Sequence, residues 1–270
     1  ERHDTTEQLS IAASRPDDPT EQPDFVTALA RGLAVIGAFS PERPQMTLAD
    51  IAKRVSLPRA TVRRSLITLA TLGYIETNGR DFTLTPKVLA LASAYLSSSP
   101  LPRAAQPMLE RLAETTRESC WAAILDDEDV LLVAAARPNR MLSASLSVGS
   151  RLPAFCTALG RVLLAGDSDE KLDAFMARLT PKPLTQSTLT EANAIRRAIL
   201  IAREQGYAIS DGEVETGVCS IAVPLVDQRG RTIAALNATV PSARMRHNEA
   251  TERFLPLLRQ AASDIRPILV

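Results

Sequence analysis

The segment Ser56–Pro86, SLPRATVRRSLITLATLGYIETNGRDFTLTP, constrains this chain more than any other stretch. A proline and three arginines (Arg59, Arg63, Arg64) head a run whose apolar residues recur at helical spacing. Val62, Ser65, Leu66, Leu69 and Gly73 share one face, and Ala60, Arg63, Arg64 and Ile67 point the other way. Pro58 suits a first helical turn, where its missing N–H would be unpaired anyway, and Gly73 closes the helix. YIETNGRDFTL then reads as a hairpin: Asn78-Gly79 suits a type I′ turn, and Ile75 and Thr77 alternate against Phe82 and Leu84. Upstream, Thr47 with Asp50 three residues on forms a capping box, opening a short helix with Leu48, Ile51, Ala52 and Val55 inside. Earlier still, Phe25, Leu29, Gly32, Leu33, Ile36 and Phe39 mark one face of a first helix, which ends at the turn SPERP. Two helices joined by a tight turn and followed by a hairpin predict a winged helix-turn-helix over residues 25–85.

The arginine-bearing face of that second helix has no core duty. Arg59, Thr61, Arg63 and Arg64 are candidates to meet phosphates or base edges in the major groove of double-stranded operator DNA, and Arg80 sits where a wing approaches the backbone or minor groove. Solvation alone is the bland reading of such arginines. Charge favours the first. The whole chain is neutral, with 31 Lys+Arg and 31 Asp+Glu, yet residues 41–87 hold eight basic side chains against four acids. Residues 1–24 carry seven acids and few apolar groups, and are expected to form a disordered tail.

Other bounds are broader. At 270 residues, two domains are expected. No apolar run reaches the ~18 to 20 residues that cross a bilayer, and no charged-then-apolar leader opens the sequence. A cytoplasmic protein without membrane contact is therefore expected. Three cysteines, Cys120, Cys156 and Cys219, make no CxxC pair and read as reduced thiols.

Residues 86–102 read as a connector. Pro86 starts a short helix with Val88, Leu89, Leu91, Ala92, Tyr95 and Leu96, too apolar all round for a lone solvated linker. It predicts packing onto the winged domain, a dimer contact, or both, since the two are not exclusive. Residues 103–270 alternate strand and helix patterns. A helix around Met108–Ala113 leads to the strands CWAAILD and VLLVAAAR, joined by DDED, and to a further strand MLSASLSVG. RLPAFCTALGRVLLAG turns into a helix, and two more helices follow around 169–178 and 190–205. GYAISDGE, CSIAVPLVD and TIAALNATVP are strands, and a long helix from about Ser242 closes the chain. Grouped strands with helices between them predict an α+β fold with an antiparallel sheet.

LARGLAVIGAF, LPRATVRRSLITLATLGYIE, RLPAFCTALGRVLLA and GYAISDGEVETGVCSIAVPLVDQRG resemble the marks of the IclR family of bacterial transcription regulators, over about residues 25–270. AAARPNRMLSASLSVG and RLPAFCTALGRVLLAG look most like the branch controlling protocatechuate and 4-hydroxybenzoate catabolism (Pca/Pob). The resemblance implies a winged helix for DNA, a GAF-like effector-binding domain, homodimers and often tetramers. The ligand it implies is a small carboxylate, aromatic or from ring cleavage; a keto acid is the alternative. Carried over by motif, the implied effector positions are Met141, Ala144, Leu152, Thr157, Ala158, Leu159, Ser210, Ser220, Asn237 and Thr239. The N–H groups where AFCTALG starts a helix suit an anion. Polar Ser220, Asn237 and Thr239 among Met and Leu suit a small-ligand pocket. Some members have an acid and a cysteine where Ser210 and Ser220 stand; the neighbouring Asp211 and Cys219 are expected to face away. Arg137 and Arg151 flank the third strand of this domain, and a guanidinium there suits a carboxylate. A surface role is the preferred reading for Arg151.

Catalysis finds little support. HExxH, GxSxG, P-loop and GxGxxG patterns are all missing. Cys156 at a helix start is a nucleophile only if its pKa is lowered, and His247 is its one candidate base. Asp211, Glu213 and Glu215 alternate onto one face, and a solvated strand edge explains them better than a site. No Cys/His spacing fits a metal, and no cofactor is implied.

Overall fold

The computed structural model describes residues 24–40, 42–137, 146–244 and 249–269. The acidic N-terminal segment up to Pro23 lies outside them, as do Met141, Ala144 and His247. The chain divides into two compact units, Glu1–Ser93 and Ala94–Val270.

The first unit holds α1 (Thr27–Ile36), β1 (Gln45–Thr47), α2 (Leu48–Arg54), α3 (Arg59–Thr71), β2 (Ile75–Thr77) and β3 (Asp81–Leu84). The capping box forms: Thr47 Oγ1 accepts from the Asp50 N–H at 3.2 Å, and the Asp50 carboxylate accepts from the Thr47 N–H at 3.3 Å. Two orphan donors of the first turn are thereby satisfied. The α2–α3 turn passes through Ser56 at φ 53°, and Pro58 is the N-cap of α3 rather than a residue of its first turn. Val62, Leu66 and Leu69 point from α3 into a small core with Val35, Met46, Ile51 and Ile75. Gly73, at φ 78°, lets the chain leave α3. Lys87 Nζ donates to the Leu72 carbonyl at 2.7 Å, which satisfies a terminal acceptor of that helix.

The hairpin differs from expectation by one position. Thr77 pairs with Phe82, and the Asn78 N–H donates to the Asp81 carbonyl, so Gly79 and Arg80 occupy the turn instead of Asn78 and Gly79. Only Gly79 has positive φ there, 96°. Asn78 Oδ1 accepts from the N–H groups of Arg80 (3.0 Å) and Asp81 (2.8 Å), so the asparagine serves through its side chain. Residues 45–47 also add β1 to the hairpin, giving the order β1-β3-β2; three residues are too few to show a strand period.

The apolar stripe of α1 is divided: Ile36, with Phe39 just beyond the helix, packs against the core, whereas the earlier part stays open. Leu29 and Leu33 are 62% and 54% exposed, and only Val35 of the helix is buried. After a 3-10 turn at Pro86–Val88, α4 (Leu89–Ser98) buries no residue.

The boundary between the units falls within α4, and the first element wholly in the second unit is α5 (Pro100–Thr116). Its sheet has the order β6-β5-β4-β9-β8-β7, all antiparallel. The strands are β4 (Ser119–Asp126), β5 (Asp129–Ala136), β6 (Arg151–Pro153), β7 (Ala208–Asp211), β8 (Val218–Val226) and β9 (Thr232–Pro241). The strand expected over 141–149 falls partly outside the described residues; its described end, 146–149, is a turn, and β6 starts at Arg151. Period-two alternation splits the sheet into two apolar faces. One carries Cys120, Ile221, Val223, Leu236 and Val240 against α5 and α9 (Leu255–Ile265). The other carries Trp121, Ala123, Ala222 and Ala235 against α6 (Ala158–Ala165), α7 (Asp169–Arg178) and α8 (Ala192–Gln205). Of the closing helix expected from about Ser242, residues 245–248 lie outside the described residues; a 3-10 turn spans Ser242–Arg244, and a π-helical turn over Ala250–Phe254 runs directly into α9 at Leu255. Among the described residues no helix is long and apolar enough to cross a membrane.

Candidate functional site

On the first unit, Arg59, Arg63 and Arg64 lie exposed along α3, and Arg80 is exposed in the hairpin turn. None of the four takes part in an ion pair among the described residues, so their charges are available to an anionic surface. Thr61 and Arg64 also border an apolar groove with Leu29, Leu33, Leu72 and Leu91.

On the second unit, register builds a cavity. Ser210, Ser220, Thr239 and Ser119 stand side by side across β7, β8, β9 and β4. The next row on the same face places Ala208, Ala222, Asn237 and Trp121 side by side. Small residues beside Asn237 and Trp121 leave space that the helical layer does not fill. Leu152, Thr157, Ala158 and Leu159 close it from the β6–α6 connection, and Val214 and Glu215 from the loop after β7. Eight of the positions carried over from the resemblance, Leu152, Thr157, Ala158, Leu159, Ser210, Ser220, Asn237 and Thr239, line this one cavity. Trp121, Leu132, Leu146, Val214, Glu215 and Val218 line it too and were not foreseen. Trp121 alternates with the residues facing α5, a signal readable in its strand. The cavity measures about 70 Å³, several times what one water requires at ~10 to 15 Å³.

Its polar groups are unevenly satisfied. Thr157 caps α6, its Oγ1 accepting from the Gly160 N–H at 2.9 Å, so Ala158 and Leu159 supply the remaining N–H groups of the first turn. Ser210 Oγ donates to the Cys156 carbonyl at 2.8 Å, tying the α6 entry loop to β7. Asn237 Nδ2 donates to Ser220 Oγ (2.7 Å) and Thr239 Oγ1 (3.2 Å). Asn237 Oδ1 accepts from nothing; it is the one buried side-chain oxygen or nitrogen among the described residues without a partner. Such an atom costs ~1 to 3 kcal/mol when left unpaired. Glu215 is the one ionisable side chain in the lining. Arg137 does not reach the cavity: its guanidinium lies 4.5 Å above the ring of Trp121, which does. Arg151 pairs with Asp126 and, at 3.1 Å, with Asp129 on the surface.

Two expectations about acids and thiols are corrected. Glu213 is not on a solvated edge with Asp211 and Glu215. Gly212, at φ 67°, breaks the alternation, and Glu213 is buried against Arg161 at 2.6 Å. Asp211 instead accepts from Ser242 Oγ at 2.6 Å. The Cys156 thiol is not activated: burial and the nearby Glu213 carboxylate push its pKa up to about 12. A helix start cannot offset the loss of hydration for a group so enclosed. Cys219 faces the α5 side, away from the cavity, as alternation predicts. Among the described residues no cluster of His, Cys, Asp and Glu could hold a metal.

Comparison with known proteins bears on the whole chain. Residues 28–79 match the IclR helix-turn-helix domain, and residues 93–266 match the C-terminal domain of the IclR bacterial transcriptional regulators. The Pca regulon regulatory protein of Pseudomonas putida is 44% identical over 247 residues, covering 91% of this chain and 85% of that protein. The p-hydroxybenzoate hydroxylase transcriptional activator of Acinetobacter baylyi is 34% identical, covering 91% and 93%. A crystal structure of an IclR homolog complexed with 4-hydroxybenzoate, from Microbacterium hydrocarbonoxydans, superposes with a TM-score of 0.75 at 28% identity, covering 90% of this chain and 99% of that one. An exposed arginine helix, a cavity with one unpartnered oxygen and these matches lead to one assignment: the chain belongs to the IclR family, as a DNA-binding, effector-responsive transcriptional regulator and not an enzyme.

Proposed function

We propose that this regulator controls aromatic-catabolism genes of the Pca/Pob kind by sensing a small aromatic or ring-cleavage carboxylate. It binds operator DNA as a dimer or tetramer, and its C-terminal unit is a GAF-like sensor. The observation that carries the ligand assignment is the unpartnered Asn237 Oδ1 beside the hydroxyls of Ser220 and Thr239. A ring hydroxyl donating to that oxygen removes the penalty of an unpaired buried acceptor. The carboxylate meets the N–H groups of Ala158 and Leu159 at the start of α6, where the helix dipole favours an anion. Leu132, Leu152 and Leu159 supply the apolar wall. Met141 and Ala144, which belong to the same implied set, lie outside the described residues. Arg137 contributes through the Trp121 ring, by a cation–π contact. The relatives support the aromatic class, since one is named for the Pca regulon, another for p-hydroxybenzoate hydroxylase, and a third was crystallised with 4-hydroxybenzoate.

Operator recognition rests on Arg59, Thr61, Arg63 and Arg64 of α3 with Arg80 in the wing. Calorimetry of the full chain against 4-hydroxybenzoate, protocatechuate, benzoate and an aliphatic keto acid tests the ligand class. Binding of the hydroxylated aromatic acids, with benzoate weaker, is expected. Binding of the keto acid alone would overturn the aromatic assignment.

A further inference from the structure

Neither Arg161 nor Glu213 lines the cavity, yet each stands beside a segment that does. Arg161 stands one turn into α6, separated from the lining residues Thr157, Ala158 and Leu159 only by Gly160, and Glu213 directly precedes Val214 and Glu215. The guanidinium grips the carboxylate with two nitrogens, Nη1 to Oε1 at 2.6 Å and Nη2 to Oε2 at 2.7 Å. Both side chains are more than nine-tenths buried. Arg161 spends its other donors on backbone: Nε on the Phe155 carbonyl (3.2 Å), in the α6 entry loop, and Nη1 also on the Ile209 carbonyl (3.4 Å), in β7. Glu213 Oε2 accepts from the Leu189 N–H at 3.2 Å. The segment 185–189 answers: Thr188 Oγ1 donates to the Glu213 carbonyl and Thr185 Oγ1 to the Gly212 carbonyl, each at 2.6 Å.

A buried ion pair is a weak source of stability, because desolvation offsets most of the attraction; a well-packed apolar pair of similar volume would serve a core equally well. What a bidentate, fully hydrogen-bonded pair supplies is fixed geometry. Ligand-contacting groups in turn need support from behind to hold their positions. We infer that Arg161 and Glu213 are positioning residues of the effector site, setting the distance between the α6 entry loop and the loop 212–217 so that the two walls close on a ligand. This rests on the reading of the cavity as the effector site, and the experiment separates the two.

The full chain is compared with Glu213→Gln, Arg161→Lys and Asn237→Leu, with folding monitored by circular dichroism. Glu213→Gln keeps the shape and loses the charge; Arg161→Lys keeps the charge and loses the fork. Both are expected to bind 4-hydroxybenzoate at least tenfold more weakly by calorimetry. Without ligand, the Leu189 amide and those of 212–215 are expected to exchange hydrogen at least tenfold faster, while Cys120 and Ile221 in the sheet keep their wild-type rates. The exchange measurement judges the pair whether or not the probe acid binds. Wild-type affinity in both variants, or exchange that rises equally in the sheet and in these loops, overturns the inference. Asn237→Leu at wild-type affinity overturns the cavity reading instead. If one pair variant does not fold, the other decides by the same two readouts.

Discussion

At the residue scale, one unpaired atom dominates the candidate site. Asn237 is 5% exposed, and its Oδ1 has no partner. Leucine there is nearly isosteric and removes both the acceptor and the donors to Ser220 and Thr239. Asn237→Leu should therefore weaken a hydroxylated aromatic acid by roughly 1 to 3 kcal/mol more than its deoxy analogue. Calorimetry with the two ligands checks this, and equal losses would place the hydroxyl elsewhere. The thiols yield a pH prediction. Burial raises Cys120 and Cys156 to about 12 and Cys219 to about 11. Below the unfolded thiol value, near ~8.5, each is protonated in both states and adds no pH dependence. Above it, the unfolded chain loses protons that the folded chain keeps, so stability falls as pH rises, by up to ~1.4 kcal/mol per unit for each thiol. Melting temperatures from pH 8 to 10 should drop, and Cys120→Ala with Cys219→Ala should make that drop shallower.

At the element scale, α3 and α6 each do one job set by their ends. The exposed face of α3 offers arginines free of ion pairs, whereas Arg151, Arg161 and Arg203 elsewhere are engaged. Arg63→Ala should weaken operator binding while leaving effector affinity unchanged. If the contact is to a phosphate, the salt slope falls by about one unit; if to a base, discrimination at one position falls by about 1 to 3 kcal/mol. Unchanged operator affinity in the Arg63→Ala, Arg64→Ala double variant would remove α3 from recognition. The α6 entry depends on Gly160: a Cβ there would lie 2.1 Å from the Ala154 carbonyl oxygen. Gly160→Ala must push the entry loop outward, costing about 1 to 3 kcal/mol as overpacking does, with weaker effector binding. Thermal unfolding and titration on one sample test both effects.

At the scale of the whole molecule, the first unit leaves apolar surface uncovered. Leu29, Leu33, Leu72, Leu89 and Leu91 are each at least 51% exposed. Contiguous apolar surface of this kind marks an interaction site. α4 buries none of its residues, yet Leu91 lines a groove with Leu29, Leu33 and Leu72, so the start of the connector borders the winged unit and still leaves apolar surface open. A second copy of the chain is the partner that fits, because a single recognition helix reads few base pairs and two extend the site. Light scattering at micromolar concentration should give a dimer or larger, and Leu29→Glu with Leu33→Glu should give a monomer that remains folded. A wild-type monomer would refute the assignment.

Local rules carried much of this protein. The capping box at Thr47, the arginine face of α3, the glycine exit at Gly73 and the alternation of β4, β8 and β9 are all written in neighbouring residues, because caps and periodicities act over a few positions. Motif likeness added eight residues that come together in one cavity. What sequence periodicity does not contain is which surface a pattern meets. The stripe on α1 has the spacing of a core helix, yet only its Ile36 end packs against the core and Leu29 and Leu33 stay exposed, a division that periodicity does not contain. The strands of the hairpin pair as their alternation predicts, but its turn sits one residue later, where the Asn78 side chain accepts the turn's N–H groups. Glu213 pairs with a residue 52 positions away, a distance over which no local pattern reaches. The polar row from Ser210 to Ser119, and the lone oxygen of Asn237 behind it, exist only because tertiary packing fixed the register of four strands and then left one acceptor unanswered.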